Sequence, residues 1–234
     1  MKYILAAAAA GALALTGAAN AAVIVIDFDG LAAGTLVTTQ YAGVTISSDN
    51  PPISQAITFN SDSPSGDDPD LGQPLTKVGG DAFGAGPLHN VLIHSKDGNL
   101  ADPNDDPTGG VFKFDFDDAI IFLGFDAIDI TDQGANLLVR LFAEDDLTEI
   151  FSFNFASAIG AVVGDNEYWS LFASVFGASG VSGVGRAEIE ITGSGAIDNL
   201  AYDPAPIPGP GALPLLLTGL AGLGFASRRR RKAV

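Results

Sequence analysis

Two acidic loops hold the side chains of this sequence that are best suited to binding a ligand. Residues 60–72 read NSDSPSGDDPDLG, and residues 96–110 read KDGNLADPNDDPTGG. Glycine and proline bend both loops, so that carboxylate, amide and carbonyl oxygens can converge on one point, as a hard cation with about six to eight oxygen ligands requires. The sequence therefore predicts calcium binding by Asp62, Asp67, Asp68, Asp70, Asp102, Asn104, Asp105 and Asp106.

A further candidate ligand lies near the end of the sequence. Residues 193–200 read GSGAIDNL, a tight turn into a strand that carries Asp198, and this carboxylate suits a structural ion shared with an N-terminal loop. Two alternatives stay open: Asp198 as an Asx-turn cap, and the loops as solvated acidic turns that protect sheet edges from aggregation. The sequence contains no EF-hand loop and no glycine-rich nonapeptide array.

Residues for covalent or metal-dependent catalysis are scarce. The chain has no cysteine, which excludes thiolate chemistry, and no G-x-S-x-G, H-E-x-x-H or phosphate-binding glycine motif. Its two histidines, His89 and His94, fall on opposite faces if they share a strand, so they cannot hold one metal there. The sequence predicts a protein that is not an enzyme, with a glycan-acting hydrolase that uses paired carboxylates as the less favoured alternative.

The elements that position these loops are predicted to be strands. Phenylalanines alternate with polar residues at positions 112–116 and 151–155, and this period of two places three rings on one face of a sheet. About ten such short runs, separated by Gly, Pro, Asp and Ser clusters, predict an all-β fold over residues 22–203, an antiparallel, jelly-roll-like β-sandwich. Residues 168–176 are the candidate for a short helix within it.

The charge of this central region limits its partners. All 28 acidic residues lie between Asp27 and Asp203, whereas the basic residues there are only Lys77, Lys96, Lys113, Arg140 and Arg186, a net charge of −23. Such a surface repels nucleic acid and attracts cations, and its self-repulsion destabilises the fold unless counterions are held. Nucleic-acid binding is therefore excluded.

Both ends of the sequence have the pattern of targeting segments. Lys2, an apolar core and the exit Ala19-Asn20-Ala21 predict a signal-peptide helix over residues 1–21. A Pro-rich linker (204–210), an apolar helix (211–227) and a basic tail (228–234) follow the sandwich. Residues 211–226 would span roughly 24 Å as a helix, less than a ~30 Å hydrocarbon core. They predict a short transmembrane helix that anchors the chain only temporarily, with the basic tail in the cytoplasm.

The tail, PIPGPGALPLLLTGLAGLGFASRRRRK, resembles a PEP-CTERM sorting signal, and most closely the variant with a VPLPA-type box. The resemblance implies that an exosortase, a membrane-embedded cysteine transpeptidase, recognises and cuts the tail. The box reads Pro206-Ile207-Pro208 here, without the family's glutamate, so the position of the cut stays open. The residues that match the signal are Pro206, Pro208, Pro210, Arg228, Arg229, Arg230 and Arg231.

These observations predict an exported, non-catalytic structural or adhesive protein of the cell surface or extracellular matrix, stabilised by Ca²⁺. Its expected partners are signal peptidase, an exosortase-type enzyme, the inner membrane during sorting, and an extracellular polysaccharide. The main alternative is a carbohydrate-binding module. That alternative needs exposed aromatic side chains, for which the candidates are Trp169, Tyr168, Tyr41 and Tyr202.

Overall fold

The structure is a computed structural model that describes residues 23–64, 68–80, 88–130, 136–145, 148–160, 163–171 and 183–204. These residues belong to one compact unit, Ala22–Ala205; a second unit, Met1–Ala21 with Pro206–Val234, lies wholly outside the described residues. The predicted signal peptide, the apolar helix, the sorting-signal residues and the candidate ligand Asp67 therefore lie outside them as well.

The described residues confirm an all-β fold. The helical elements described are a 3₁₀ turn, Pro69–Leu71, and a short helix α1, Phe155–Ile159. The strands are β1 (Ile24–Ile26), β2 (Val44–Asp49), β3 (Ala56–Asn60), β4 (Thr76–Gly80), β5 (Asn90–His94), β6 (Gly110–Ile128), β7 (Leu137–Ala143), β8 (Glu149–Asn154), β9 (Glu167–Leu171), β10 (Val184–Ile191) and β11 (Ala196–Pro204). The part of residues 168–176 that is described is strand β9, so the predicted helix is wrong there.

The long strand β6 organises the sheet. Its residues 111–115 lie between β2 and β10, whereas its residues 126–128 lie between β11 and β9. The sheet continues from β10 to β7 and β8, and from β11 to β5 and β3, while β1 pairs with β11 beside β5. One strand thus joins two groups of strands into a single curled sheet.

The sheet is mixed, which corrects the prediction of purely antiparallel pairing. Strand β4 pairs in parallel with β9, with Thr76 opposite Glu167. Parallel neighbours need a long crossover connection, and here it contains β5 to β8 and α1. No alternation pattern in the sequence could have indicated that pairing.

The predicted phenylalanine stripe of β6 faces the core. Phe112 and Phe114 are fully buried, and Phe116 is nearly so. The second stripe differs from expectation, because β8 ends at Asn154 and Phe155 begins α1. The Asn154 side chain causes this change by accepting a hydrogen bond from the backbone N–H of Ser157, an N-cap that starts a helix.

Buried apolar residues form two clusters. The larger cluster draws on both parts of β6 and on β7, β10 and β11. The smaller one consists mainly of residues of β3 and β5 together with Leu71 and Leu88. Because β5 sends Leu92 to the larger cluster and Val91 and Ile93 to the smaller one, the two clusters lie on opposite faces of β5, and Leu71 holds the loop after β3 against the second face.

Within the segments that the structure describes, no helix is long and apolar enough to cross a membrane.

Candidate functional site

The two predicted acidic loops meet at Asp68 and Asp105. Asp68 precedes the 3₁₀ turn, and its Oδ2 accepts a hydrogen bond from the backbone N–H of Asp105 at 2.9 Å. The two carboxyl groups also hydrogen-bond to each other, and both residues are buried, 5% and 4% exposed. Burial, followed by the hydrogen bond and charge of Asp105, raises the pKa of Asp68 to about 8.

The turn between β10 and β11 holds the same pair from another side. The Ser194 hydroxyl donates to Oδ2 of Asp105 at 2.6 Å, and the backbone N–H of Gly195 donates to that oxygen at 2.8 Å. Ser194 Oγ also lies 3.4 Å from Oδ2 of Asp129, which directly follows β6 and is fully buried. Sequence reasoning identified the turn that carries Ser194 and Gly195 but missed Asp129 and the contact of all three with the loops, because these contacts join positions far apart in the chain.

Asp70 completes this group. Burial raises its pKa most, and the charges of Asp105 and Asp165 raise it further. Its Oδ1 is buried and has no hydrogen-bond partner among the described residues. Asp68, Asp70, Asp105, Asp129, Ser194 and Gly195 are called the loop cluster below. Its oxygen-only donors suit a hard cation, yet within the described segments no group of three or more His, Asp or Glu side chains is arranged to hold a metal ion.

The predicted ligand Asp198 belongs to a different place. It lies on β11 opposite Asp126 of β6, and Asp126 in turn lies opposite Ser170 of β9. Both aspartates are almost completely buried. Asp126 accepts hydrogen bonds from the Ser170 hydroxyl and from the Asn199 side-chain amide, the latter at 2.8 Å, and Asp198 accepts one from the Asn199 backbone N–H at 2.7 Å.

Asp198 also faces the N-terminal loop after β1. Burial raises its pKa well above the ordinary value, and the charges of Asp126, Asp29 and Asp27 raise it further. Burial and the charges of Asp27, Asp198 and Asp29 raise the pKa of Tyr41 to about 12. Asp29 is fixed by the Asn90 backbone N–H, which donates to its Oδ1 at 2.8 Å. Asp27, Asp29, Tyr41, Asp126 and Asp198 form the strand cluster.

The remaining predicted ligands lie in surface turns. Asp62 pairs with His89, Oδ2 to Nδ1 at 2.7 Å, and both side chains are about half exposed. Asp106 accepts hydrogen bonds from the backbone N–H and the hydroxyl of Thr108. Asp102 is exposed, while Asn104 is buried and its carbonyl accepts from the Lys96 backbone N–H. The contacts of Asp62 and Asp106 fit the alternative of acidic turns.

His94 is a core residue. Its ring stacks on Phe112 with centroids 3.6 Å apart, and its Nδ1 lies 2.7 Å from the Ser48 hydroxyl. Its Nε2 is buried with no hydrogen-bond partner among the described residues. Burial lowers the pKa of His94 to about 3, so the ring is neutral at physiological pH.

A surface cleft of about 320 Å³ forms a third acidic site. It lies where β6 approaches the end of β7, and it is lined by Asp115, Phe116, Asp117, Asp118, Ala119, Glu144 and Gly185. None of these residues belongs to the loop cluster or the strand cluster. The acidic groups of the described residues are therefore spread over separate places.

The candidate aromatic residues for carbohydrate binding are packed into the fold. Tyr202 is fully buried. Trp169 is half-buried against the larger core cluster, with its ring edge-on to Phe155, centroids 5.8 Å apart. Tyr41 packs against that cluster as well, and Tyr168 packs against the smaller one. The described part of the chain thus places none of the four on a fully exposed platform.

Comparison with known proteins identifies no family for this chain. No family model matches the sequence, and no curated protein matches it. Among solved structures, the chain is similar to the enzymatically active domain of tailspike protein 4 of bacteriophage CBA120, with 17% identity and a TM-score of 0.32 over 75% of this chain. The match spans about a fifth of the tailspike chain, 21%.

Proposed function

We propose that this chain is an exported, non-catalytic structural or adhesive protein of the cell surface or extracellular matrix, with Ca²⁺ bound at the loop cluster. The observation that supports the cation is the buried carboxyl pair Asp68 and Asp105. This pair connects the 3₁₀ turn, the loop after β5 and the β10–β11 turn. The fold in this proposal is a jelly-roll-like β-sandwich, because the two strand groups joined by β6 both contribute side chains to one core cluster.

Two buried carboxylates in contact repel each other unless a proton or a cation lies between them. A shared proton is one solution, and it corresponds to the raised pKa of Asp68. A divalent cation is the other, since it neutralises both charges. The described side chains supply only part of a calcium shell, so water and backbone carbonyls would supply the rest.

Net charge supports the cation over the proton. Between Asp27 and Asp203 the chain carries 28 acidic and five basic residues. A surface of this charge concentrates divalent cations in its vicinity. Export, which the leader and the sorting signal predict, would bring the protein to an environment where calcium is plentiful and where the absence of cysteine leaves no disulfides to stabilise it.

Thermal unfolding with and without calcium tests this proposal. A ligand that binds only the folded state at about 100 times its Kd adds about 2.7 kcal/mol of stability. The melting temperature of the wild-type protein should therefore rise with millimolar Ca²⁺ over chelator. This increase should be lost in Asp105→Asn but kept in the matched variant Asp102→Asn, which changes an exposed aspartate of the same loop. Equal melting temperatures of the wild type in Ca²⁺ and in chelator would contradict the proposal.

A further inference from the structure

The last strand of the folded unit ends with an aspartyl-prolyl bond, Asp203-Pro204. The chain contains four such bonds, at Asp68-Pro69, Asp102-Pro103, Asp106-Pro107 and Asp203-Pro204. Three of them lie in the acidic loops. The fourth joins the last two residues of β11, the final strand of the described chain.

We propose that the Asp203-Pro204 bond is a self-cleavage site, at which the Asp203 carboxyl group releases the folded unit from its tail without a protease. In this step a carboxyl oxygen of Asp203 attacks the carbonyl carbon of the same residue and closes a five-membered anhydride. The C–N bond to Pro204 breaks, and the proline nitrogen leaves with the carboxyl proton as a secondary amine. One water molecule then opens the anhydride and leaves Asp203 with two free carboxyl groups.

Proline makes this bond suited to the step. Its nitrogen carries no N–H, so the competing attack of the next backbone nitrogen on the side-chain carboxyl, which would give a succinimide, is blocked. The proline nitrogen is also a tertiary amide nitrogen, which accepts a proton more readily than an ordinary peptide nitrogen. The reaction that remains open is attack by a carboxyl oxygen of Asp203 on the backbone carbonyl carbon of the same residue.

The backbone at this bond is irregular. Asp203 lies opposite Phe122 of β6, but Pro204 lies opposite Ile120, so the pairing skips Ile121 at the bond itself. The Ile121 side chain is exposed, 39%. A bulge disrupts the regular ladder, and Pro204 has no N–H to restore it. The carbonyl group under attack thus lies where the pairing of β11 with β6 is irregular.

The side chain of Asp203 is free, within the described part of the chain, of the hydrogen bonds that hold the carboxyl groups of two of the other three aspartates. Its Oδ1 is buried and accepts no hydrogen bond from any described residue. Oδ2 of Asp68, in contrast, accepts from the Asp105 backbone N–H, and Oδ1 of Asp106 accepts from two groups of Thr108. Hydrogen-bond donors therefore orient the carboxyl groups of Asp68 and Asp106, whereas no such donor among the described residues orients Oδ1 of Asp203.

Mass spectrometry of the purified full chain in detergent tests the inference. After incubation at about pH 5 and about 37 °C, we expect a fragment that starts at Pro204 and ends at Val234, with the two products together heavier than the intact chain by one water. Asp203→Asn should slow its formation about tenfold or more, and Pro204→Ala should do the same. Asp102→Asn, which alters another aspartyl-prolyl bond, should leave the rate unchanged.

Three results would overturn the inference. One is a chain that stays intact under these conditions. Another is cleavage at all four aspartyl-prolyl bonds at equal rates, which would show ordinary acid lability. The third is formation of the same fragment at the wild-type rate in an Asp203→Asn variant that melts like the wild type, which would indicate a contaminating protease. The inference does not depend on calcium binding, so its failure would leave the proposed function untouched.

Discussion

Single buried ionisable residues of this protein respond to pH in opposite directions. The raised pKa of Asp68 means that, without a cation, the folded state holds a proton that the unfolded state gives up, so its contribution to stability is lost as the pH rises toward about 8. The lowered pKa of His94 has the reverse effect. The unfolded state takes up a proton below the ordinary histidine pKa of about 6.5, whereas the folded state does so only near about 3.

Replacing His94 with phenylalanine should therefore flatten the acid side of the stability profile. As the pH is lowered from about 6.5 to about 4, the free energy of unfolding of the wild type should fall relative to that of His94→Phe by up to about 1.4 kcal/mol per pH unit. Phenylalanine keeps the stacking on Phe112 and removes the titrating ring. Urea unfolding at about pH 7 and about pH 5 measures the difference.

This prediction needs a control for the Ser48 hydroxyl, which loses its contact with Nδ1 of residue 94 in His94→Phe. The double variant with Ser48→Ala removes that unpaired hydroxyl, and it should show the same pH dependence as His94→Phe alone. Parallel profiles for the wild type and the double variant would mean that His94 is not buried as a neutral ring.

At the scale of strands and loops, local patterns were predictable and long-range pairings were not. The period of two identified the buried stripe Phe112–Phe116, because alternation depends on neighbouring residues alone. The parallel pairing of β4 with β9 depends on residues about ninety positions apart. The same distinction applies to the loop cluster. Its carboxylates Asp68, Asp70 and Asp105 are recognisable in the sequence because they lie in acidic loops bent by Gly and Pro. Ser194 and Gly195 contact the cluster only through the fold.

The pairing of β4 with β9 also explains why residue 79 is glycine, which the sequence alone did not. A Cβ atom at Gly79 would lie 2.2 Å from the nearest atom of the Trp169 ring, which covers this position. We expect Gly79→Ala to displace the ring and to lower the free energy of unfolding by about 1 to 3 kcal/mol, the usual cost of overpacking. Because Trp169 is the only tryptophan, its fluorescence should shift to the red in the variant.

Gly30→Ala is the matched control for that change. A Cβ atom there would meet nothing within 4 Å, and the backbone is not in the left-handed region. Its melting temperature and its tryptophan emission should equal those of the wild type. An unchanged emission spectrum in Gly79→Ala would show that the ring does not lie over β4.

For the whole folded unit, the two ends of the described chain come together. Strand β1 runs antiparallel to β11, with Ile24 opposite Tyr202, so the residues next to the predicted leader and the predicted tail leave from one corner of the sheet. Removal of the leader and removal of the tail would both act at this corner. Together they would remove six of the eleven basic residues, so that the folded unit alone would be far more negative than the whole chain.

That charge makes the stability of the folded unit depend on ionic strength. Charges of one sign repel each other across the surface, and raising NaCl from about 0.1 M to about 1 M shortens the screening length from about 10 Å to about 3 Å. We expect the melting temperature, measured in chelator so that no divalent cation contributes, to rise over this range. Calcium should produce its own increase at millimolar concentration, where ionic strength hardly changes. A melting temperature that falls with NaCl would show that attractive ion pairs, such as Arg140 with Glu190, outweigh the repulsion.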